Sequence, residues 1–295
     1  MLFQEAVEKF LANIELVRNY SCATVRSYRS DLYLFIRYLS TLGISLLEDV
    51  NREVVMRFLA DQQVLSPKKP ATIRRRGHAI GSLFKFCLSC GHVALNIMNG
   101  IELPKKIRNI PRILTEVEIE KYLFTPIIYR KFKWLIKRDE AVLKTLLLLG
   151  IRLAELLGIK VTDIDFVNQT IIITGKGGKV RILPLPLVLL RLWKEYLDMR
   201  PRVKTDKLFL AANGRRALGR NGLYSLFYKH LRRCGIDRKG ITPHKMRHTC
   251  AVRVYRKSHN LLAVQRLLGH ASLSSSEIYL QISDPDLRAA VEGAF

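Results

Sequence analysis

From Phe3 to Gly43 apolar residues return at intervals of three and four, as in Phe10, Ile14 and Val17 and again in Tyr28, Leu32, Phe35, Ile36 and Leu39. That period lines one face of an α-helix. The stretch Asn19 to Ala23 interrupts it, so the pattern predicts two helices, with Ser21 and Thr24 as caps for the second. A third helix is predicted from about Arg52 to Gln62. After the turn Ser66-Pro67, a fourth opens at Thr72 and carries Arg74, Arg75, Arg76 and Lys85 beside apolar Ile80, Leu83 and Phe86. These elements read as a small helical bundle with one basic face.

The segment from Glu102 to Pro111 holds two prolines and four charges without periodicity, which is the signature of an extended linker. A domain boundary is therefore expected there, dividing the chain into residues 1–104, a linker 105–111 and a second domain 112–295. Thr115 and Glu118 have the spacing of a capping box, and the second domain is expected to be mostly helical up to Asp163. Thr170 to Thr174 and Val180 to Pro184 are β-branched runs around Gly175-Lys-Gly-Gly-Lys179, the pattern of a β-hairpin whose glycines take positive φ. Helices are expected to resume after Pro184. The predicted fold class is mainly α, with one small antiparallel sheet in the second domain.

A length of 295 residues suits two domains, and 48% hydrophobic residues supply cores for both. The charge changes the picture more. Fifty Lys and Arg against 25 Asp and Glu leave a net charge of +25, spread over both parts of the chain. Such a surplus calls for a polyanionic partner, and nucleic acid is the default. No apolar run approaches the ~18 residues of a membrane span. The opening MLFQEAVEKF lacks the basic stretch and long apolar core of a secretory signal, so a cytoplasmic location is expected. Five scattered cysteines agree with a reducing compartment. Of these, Cys87-Leu-Ser-Cys90 has a metal-like spacing but no second pair, and reads as two small buried residues on a helix.

Four separated clusters carry chemistry. In Gly150-Ile-Arg152-Leu-Ala-Glu155, the arginine and glutamate are three apart on a helix, so Glu155 can orient Arg152. The hairpin tip presents Lys176, with Lys179 as a rival, where glycines let an ammonium approach a phosphate. GKGGK lacks the spacing of a nucleotide-binding P-loop, and an NTPase is rejected. In Thr242-Pro-His244-Lys-Met-Arg247-His248, Thr caps a helix with Pro in its first turn, and His244 and Arg247 are expected to point the same way. In Leu267-Leu-Gly269-His270, a helix ends at Gly269, and Ser274 and Glu277 can box a short helix that carries Tyr279. Taken singly, each cluster also has an ordinary structural reading.

In this order, GIRLAELLGI, GKGGKVRILPL, PHKMRHTCA and LLGHASLSSSEIYLQI resemble the conserved boxes of the tyrosine site-specific recombinases, the integrase family, and within it the Xer-type enzymes. The resemblance extends weakly through the N-terminal helices. It implies a SAM-like helical core-binding domain followed by a catalytic domain. Tyr279 would attack the scissile phosphodiester, giving a 3′-phosphotyrosyl link and a free 5′-hydroxyl. Arg152 and Arg247 would clamp the non-bridging oxygens, and Lys176 would protonate the departing 5′-oxygen. His244 would exchange a proton with the tyrosine, His270 would donate to a non-bridging oxygen, and Glu155 would hold Arg152. Neither ATP nor metal nor other cofactor is implied. The chain departs from the family pattern with Leu149 for Thr or Ala, Ile151 for Leu and Gln281 for His, from which only packing differences are expected.

The resemblance also implies double-stranded DNA as partner, held between the two domains. Arg26, Arg29, Arg74, Arg75 and Arg76 in the first domain and Arg215, Arg216 and Arg220 in the second are the candidate backbone contacts. Pro285 and Leu287 to Val291 resemble the tail that docks on a neighbouring subunit. Recombination through a Holliday junction would need a homotetramer on two sites, or a heterotetramer with a second recombinase, and an accessory activator protein. A type IB topoisomerase lacks the LGH box, and a silent DNA-binding relative would lack a box that is present here. Resolution of chromosome or plasmid dimers and integration or resolution by a transposon, plasmid or phage both remain open from the sequence.

Overall fold

The computed structural model describes residues 1–64, 68–105, 112–128, 131–237 and 239–269, without the side chains of Val64 and Lys176. The chain divides into two compact units, Met1–Arg108 and Asn109–Phe295.

The first unit packs four helices, α1 (Phe3–Ala12), α2 (Cys22–Thr41), α3 (Arg52–Val64) and α4 (Pro70–Ser89). Their apolar faces meet around buried aromatic rings, with Phe35 edge-on to Phe3 at 5.5 Å and tilted on Phe58 at 4.8 Å. Offset and edge-on rings are the preferred aromatic contacts. Ser21 caps α2 by accepting from the Thr24 backbone N–H. Two details differ from the sequence reading. Val17 was expected on the core face but is 75% exposed. Asn13–Val17 winds as a π-turn closed by the Arg18 N–H on the Asn13 carbonyl, and this wider turn swings Val17 out of register. Helix α4 begins at Pro70 rather than Thr72, because proline, lacking an N–H, fits the first turn where no donor is needed. Cys87 is buried but Cys90 is exposed where α4 ends, so they do not form the buried pair expected.

The second unit opens with α5 (Glu116–Phe124), which begins in the Thr115–Glu118 capping box, then α6 (Lys133–Leu148) and the short α7 (Leu153–Gly158). A three-stranded antiparallel sheet follows in the order β1 (Ile164–Asp165), β2 (Thr170–Thr174), β3 (Val180–Pro184). The register pairs Thr170 with Pro184 and Thr174 with Val180. Ile171, Ile173 and Leu183 face the core while Ile172 and Ile182 face out, the alternation of a sheet covered on one side. The Gly175 N–H bonds the Lys179 carbonyl at 2.7 Å, and Gly177 and Gly178 both take φ of +74° in the turn. Two-residue β1 was not foreseen.

Helix α8 (Leu187–Met199) lies on α6, where Trp193 donates to Thr145 Oγ1 at 3.2 Å inside the core. Helices α9 (Arg220–Arg233), α10 (Pro243–Ser258) and α11 (Leu261–Leu268) are the last among the described residues, and α11 stops at Gly269 with φ of +63°. Among the described residues no helix is long and apolar enough to cross a membrane.

Candidate active site

The site is assembled where three separated segments meet: the junction of α6 and α7, the β2–β3 hairpin, and the facing ends of α10 and α11. At the junction Gly150 takes φ of +57°, and a Cβ there would stand 3.0 Å from both Cβ and Sγ of Cys250. Only glycine meets both conditions. Leu149 and Ile151, the departures from the family pattern, are both buried. Arg152 then occupies the position before α7, so it does not share a regular helix face with Glu155 as the spacing suggested. Glu155 instead reaches back to it twice. Its Oε2 accepts from the Arg152 backbone N–H at 2.9 Å and its Oε1 from Arg152 Nη1 at 2.7 Å.

Glu155 is 5% exposed and has a second partner that sequence reasoning missed. Arg181, in β3, donates from Nη1 to Oε1 at 3.1 Å and from Nη2 to Oε2 at 2.8 Å. Burial works to raise the Glu155 carboxyl. The hydrogen bonds from Arg181 and from the backbone and side chain of Arg152 outweigh it, and the pKa falls to about 2. A signal for Arg181 was present: strand alternation puts it on the inward face beside buried Leu183.

Arg247, the fifth residue of α10, is 2% exposed. Its Nη1 donates to the Gly150 carbonyl at 2.9 Å and its Nη2 to the Leu268 carbonyl at 2.5 Å. His244, three residues earlier, is exposed and meets His248 edge-to-face at 4.9 Å, whereas Arg247 is buried. Arg247 turns inward because two carbonyls at the converging chain ends need donors. Thr242 occupies the N-cap position, but its side chain makes no capping bond. Loss of hydration around the His244 ring, then the positive charges of Arg247, Lys245 and Arg152, hold its pKa below the ordinary imidazole value, although the residue keeps an exposed edge. Arg152, His244 and Arg247 thus share one electrostatic neighbourhood.

Lys176 begins the turn of the hairpin, directly after Gly175; its side chain is not described. His270, Tyr279, the Ser274–Glu277 box, Gln281 and the tail with Pro285 and Leu287 to Val291 lie outside the described residues.

The candidate nucleic-acid contacts fall into two groups. Arg26 and Arg29 are exposed one turn apart on α2, and Arg215, Arg216 and Arg220 are exposed in and after the loop that precedes α9. The α9 loop borders a groove of about 750 Å³ whose lining includes Asn213, Arg216, Arg220 and Ser225. The remaining three are engaged within the first unit. Arg74 donates to the Pro104 carbonyl at 3.3 Å. Arg75 and Arg76 flank buried Asp31, with Arg75 also on Ser27 and Arg76 on Gln62.

The phage integrase family model matches residues 112–285, and the model of the phage integrase N-terminal SAM-like domain matches residues 7–91. The chain is 32% identical over 289 residues to the tyrosine recombinase XerC of Roseiflexus sp. (strain RS-1), covering 95% of this chain and 90% of that one. To the tyrosine recombinase XerD of Listeria monocytogenes it is 29% identical over 291 residues, covering 95% and 94%. Among solved structures it is similar to the XerH site-specific recombinase bound to palindromic difH substrate in a post-cleavage complex. The TM-score there is 0.79 at 27% identity, over 93% of this chain and 80% of that one. The Tn1549 transposon integrase in complex with transposon right end DNA shares the fold, with a TM-score of 0.79 at 19% identity, over 100% and 99%.

Proposed function

The chain belongs to the phage integrase family, the tyrosine recombinases, and from that premise we propose that it resolves chromosome or plasmid dimers in the manner of its Xer-named relatives. DNA cleavage and rejoining is the activity characteristic of the family. In this reading residues 1–104 form the core-binding domain, 105–111 the linker and 112–295 the catalytic domain. Tyr279 is the nucleophile. It attacks the scissile phosphorus, a 3′-phosphotyrosyl bond forms, and the bond to the 5′-oxygen breaks. Lys176 gives that oxygen its proton. Attack by a partner strand's 5′-hydroxyl reverses the step, so bond energy is conserved and no nucleotide is consumed.

Arg152 and Arg247 bind the non-bridging oxygens, where charge accumulates in the pentacoordinate transition state. His244, held neutral by its lowered pKa, accepts the tyrosine proton, and His270 donates to a non-bridging oxygen. Glu155 fixes Arg152. The observation that carries the reading is the convergence of Arg152, His244 and Arg247 from segments about a hundred residues apart in one neighbourhood. The exposed arginines of α2 and of the α9 loop are the proposed backbone contacts on double-stranded DNA. Four protomers on two sites pass the strands through a Holliday junction, as a homotetramer or with a second recombinase, under an accessory activator, at the nucleoid.

A covalent-capture assay tests the proposal. Native protein and Tyr279→Phe are incubated in EDTA with nicked duplexes from the DNA flanking the gene and from the host's replication terminus, then run on denaturing gels. An adduct with the native protein alone is expected, on terminus DNA. Reaction only with flanking DNA would assign a mobile-element role, and an adduct formed by Tyr279→Phe would remove Tyr279 as nucleophile.

A further inference from the structure

We propose that Arg181 is a positioning residue of this reaction: it fastens the Arg152–Glu155 pair to the hairpin and to the end of α11, and it leaves the charge of Arg152 available to phosphate. The proposal rests on the reading of the site given above and assigns a role to a residue outside its set of reacting groups.

Arg181 spends every arm of its guanidinium inward. Two nitrogens grip both oxygens of Glu155, and Nε donates to the Leu267 carbonyl at 3.2 Å, 86 residues away in sequence. Its side chain is only 15% exposed. A planar fork can satisfy a carboxylate and a carbonyl together, which a lysine ammonium cannot do in the same geometry. Three segments are therefore held in register by one side chain.

The glycines around it follow from the same contact. A Cβ on Gly269 would lie 3.1 Å from Arg181 Cδ, and one on Gly175 would lie 3.3 Å from Glu155 Oε1. Gly175 is followed by Lys176 and Gly269 by His270. Gly175 and Gly269 are thus both seated on the Arg181–Glu155 pair, and a shift of that pair bears on both glycines.

Charge gives the second half of the argument. A buried carboxylate paired with Arg152 alone would cancel that arginine's field and hold it back. With Arg181 as the second cation the three groups sum to one positive charge. The excess is presented by Arg152, whose side chain is 40% exposed, whereas the carboxylate is 3% exposed. A phosphate approaching from solvent meets a net cation whose direction is already fixed.

The test compares native protein, Arg181→Met and Arg181→Lys, full length, on the nicked duplex that the native protein cleaves. The rate of adduct formation is followed from pH 5 to 9, with affinity for the same duplex measured at one salt concentration. Arg181→Met is expected to form adduct about 100-fold more slowly, the scale of a small misplacement of reacting groups, with affinity nearly native. Arg181→Lys should recover part of the rate. The methionine variant should also show a steeper acid limb than the native protein, because Glu155, left with Arg152 as its charged partner among the described side chains, takes up a proton at higher pH and adds its effect to that of His244. A merely structural role would lower the melting temperature and leave the pH profile unchanged. If the methionine variant does not fold, Arg181→Gln carries the same comparison. Native rate and profile in the variants would overturn the role of Arg181 alone, whereas a native protein that forms no adduct on any duplex would overturn both this role and the proposed function.

Discussion

Arg247 reaches across 97 residues of sequence to donate from Nη1 to the carbonyl oxygen of Gly150 at 2.9 Å. The bond makes a proposed phosphate-binding arginine part of the packing that shapes the loop before the other one, Arg152. Through Nη2 and the Leu268 carbonyl the same side chain closes the end of α11. Stability and site geometry are therefore tied at this residue.

Replacing Arg247 by lysine keeps a charge but cannot serve both carbonyls, and at least one buried acceptor is left without its donor. A loss of about 1–3 kcal/mol is expected for such an acceptor, read as a lower urea midpoint at unchanged slope. Adduct formation should fall as well. A variant of native stability would show that water replaces the guanidinium without cost.

Gly150→Ala tests the close approach on the other side of the loop. The new Cβ would sit 3.0 Å from two Cys250 atoms at φ of +57°, so both sterics and backbone oppose it. Overpacking of this kind costs about 1–3 kcal/mol. Adding Cys250→Ala removes Sγ but neither the second contact nor the unfavourable φ, and the double variant should regain only part of the loss. Full recovery would mean that the backbone tolerates the left-handed conformation freely.

His244 gives a pH prediction. Its pKa lies below the ordinary imidazole value, chiefly through lost hydration and then through Arg247, Lys245 and Arg152. A neutral imidazole is the form that accepts the tyrosine proton. Adduct formation should thus be flat through neutrality and decline only as acid protonates the ring. His244→Gln should lose rate most in the neutral range and flatten that acid limb, which a rate profile of the two proteins would check. An unchanged limb in the variant would assign it to another group.

The helices of the first unit, the hairpin and the stop at Gly269 were legible because period, capping and glycine chemistry are local. Arg152, Glu155 and Arg247 were legible as box residues, yet the partners that define them were not. Arg181 to Glu155, Arg247 to Gly150 and Gly150 to Cys250 are contacts between segments far apart in the chain, and spacing cannot show them. The same limit explains Arg75 and Arg76. A run of three arginines looks like a solvated basic face until the neighbouring helix brings Asp31 beneath two of them. Val17 failed for a different reason, since a π-turn changes the period on which the expectation rested.

The two groups of arginines in the first unit predict opposite phenotypes. Arg26 and Arg29 are exposed on α2, so Arg26→Ala and Arg29→Ala should weaken DNA binding uniformly across sequences and each reduce the salt slope by about one. Arg76 is mostly buried and lies 3.7 Å from Asp31. Burial raises the Asp31 carboxyl, and Arg75 and Arg76 offset only part of that cost to its charged form. Arg76→Met leaves it with Arg75, whose side chain is 47% exposed and screened by water. Stability should fall at neutral pH, and the deficit should shrink as acid protonates Asp31, because a neutral carboxyl needs no cation. The salt slope should stay native. Denaturant melts at several pH values, set beside binding isotherms over a salt series, separate the cases. A reduced slope for Arg76→Met with native stability would move Arg76 from the packing of the bundle to the DNA.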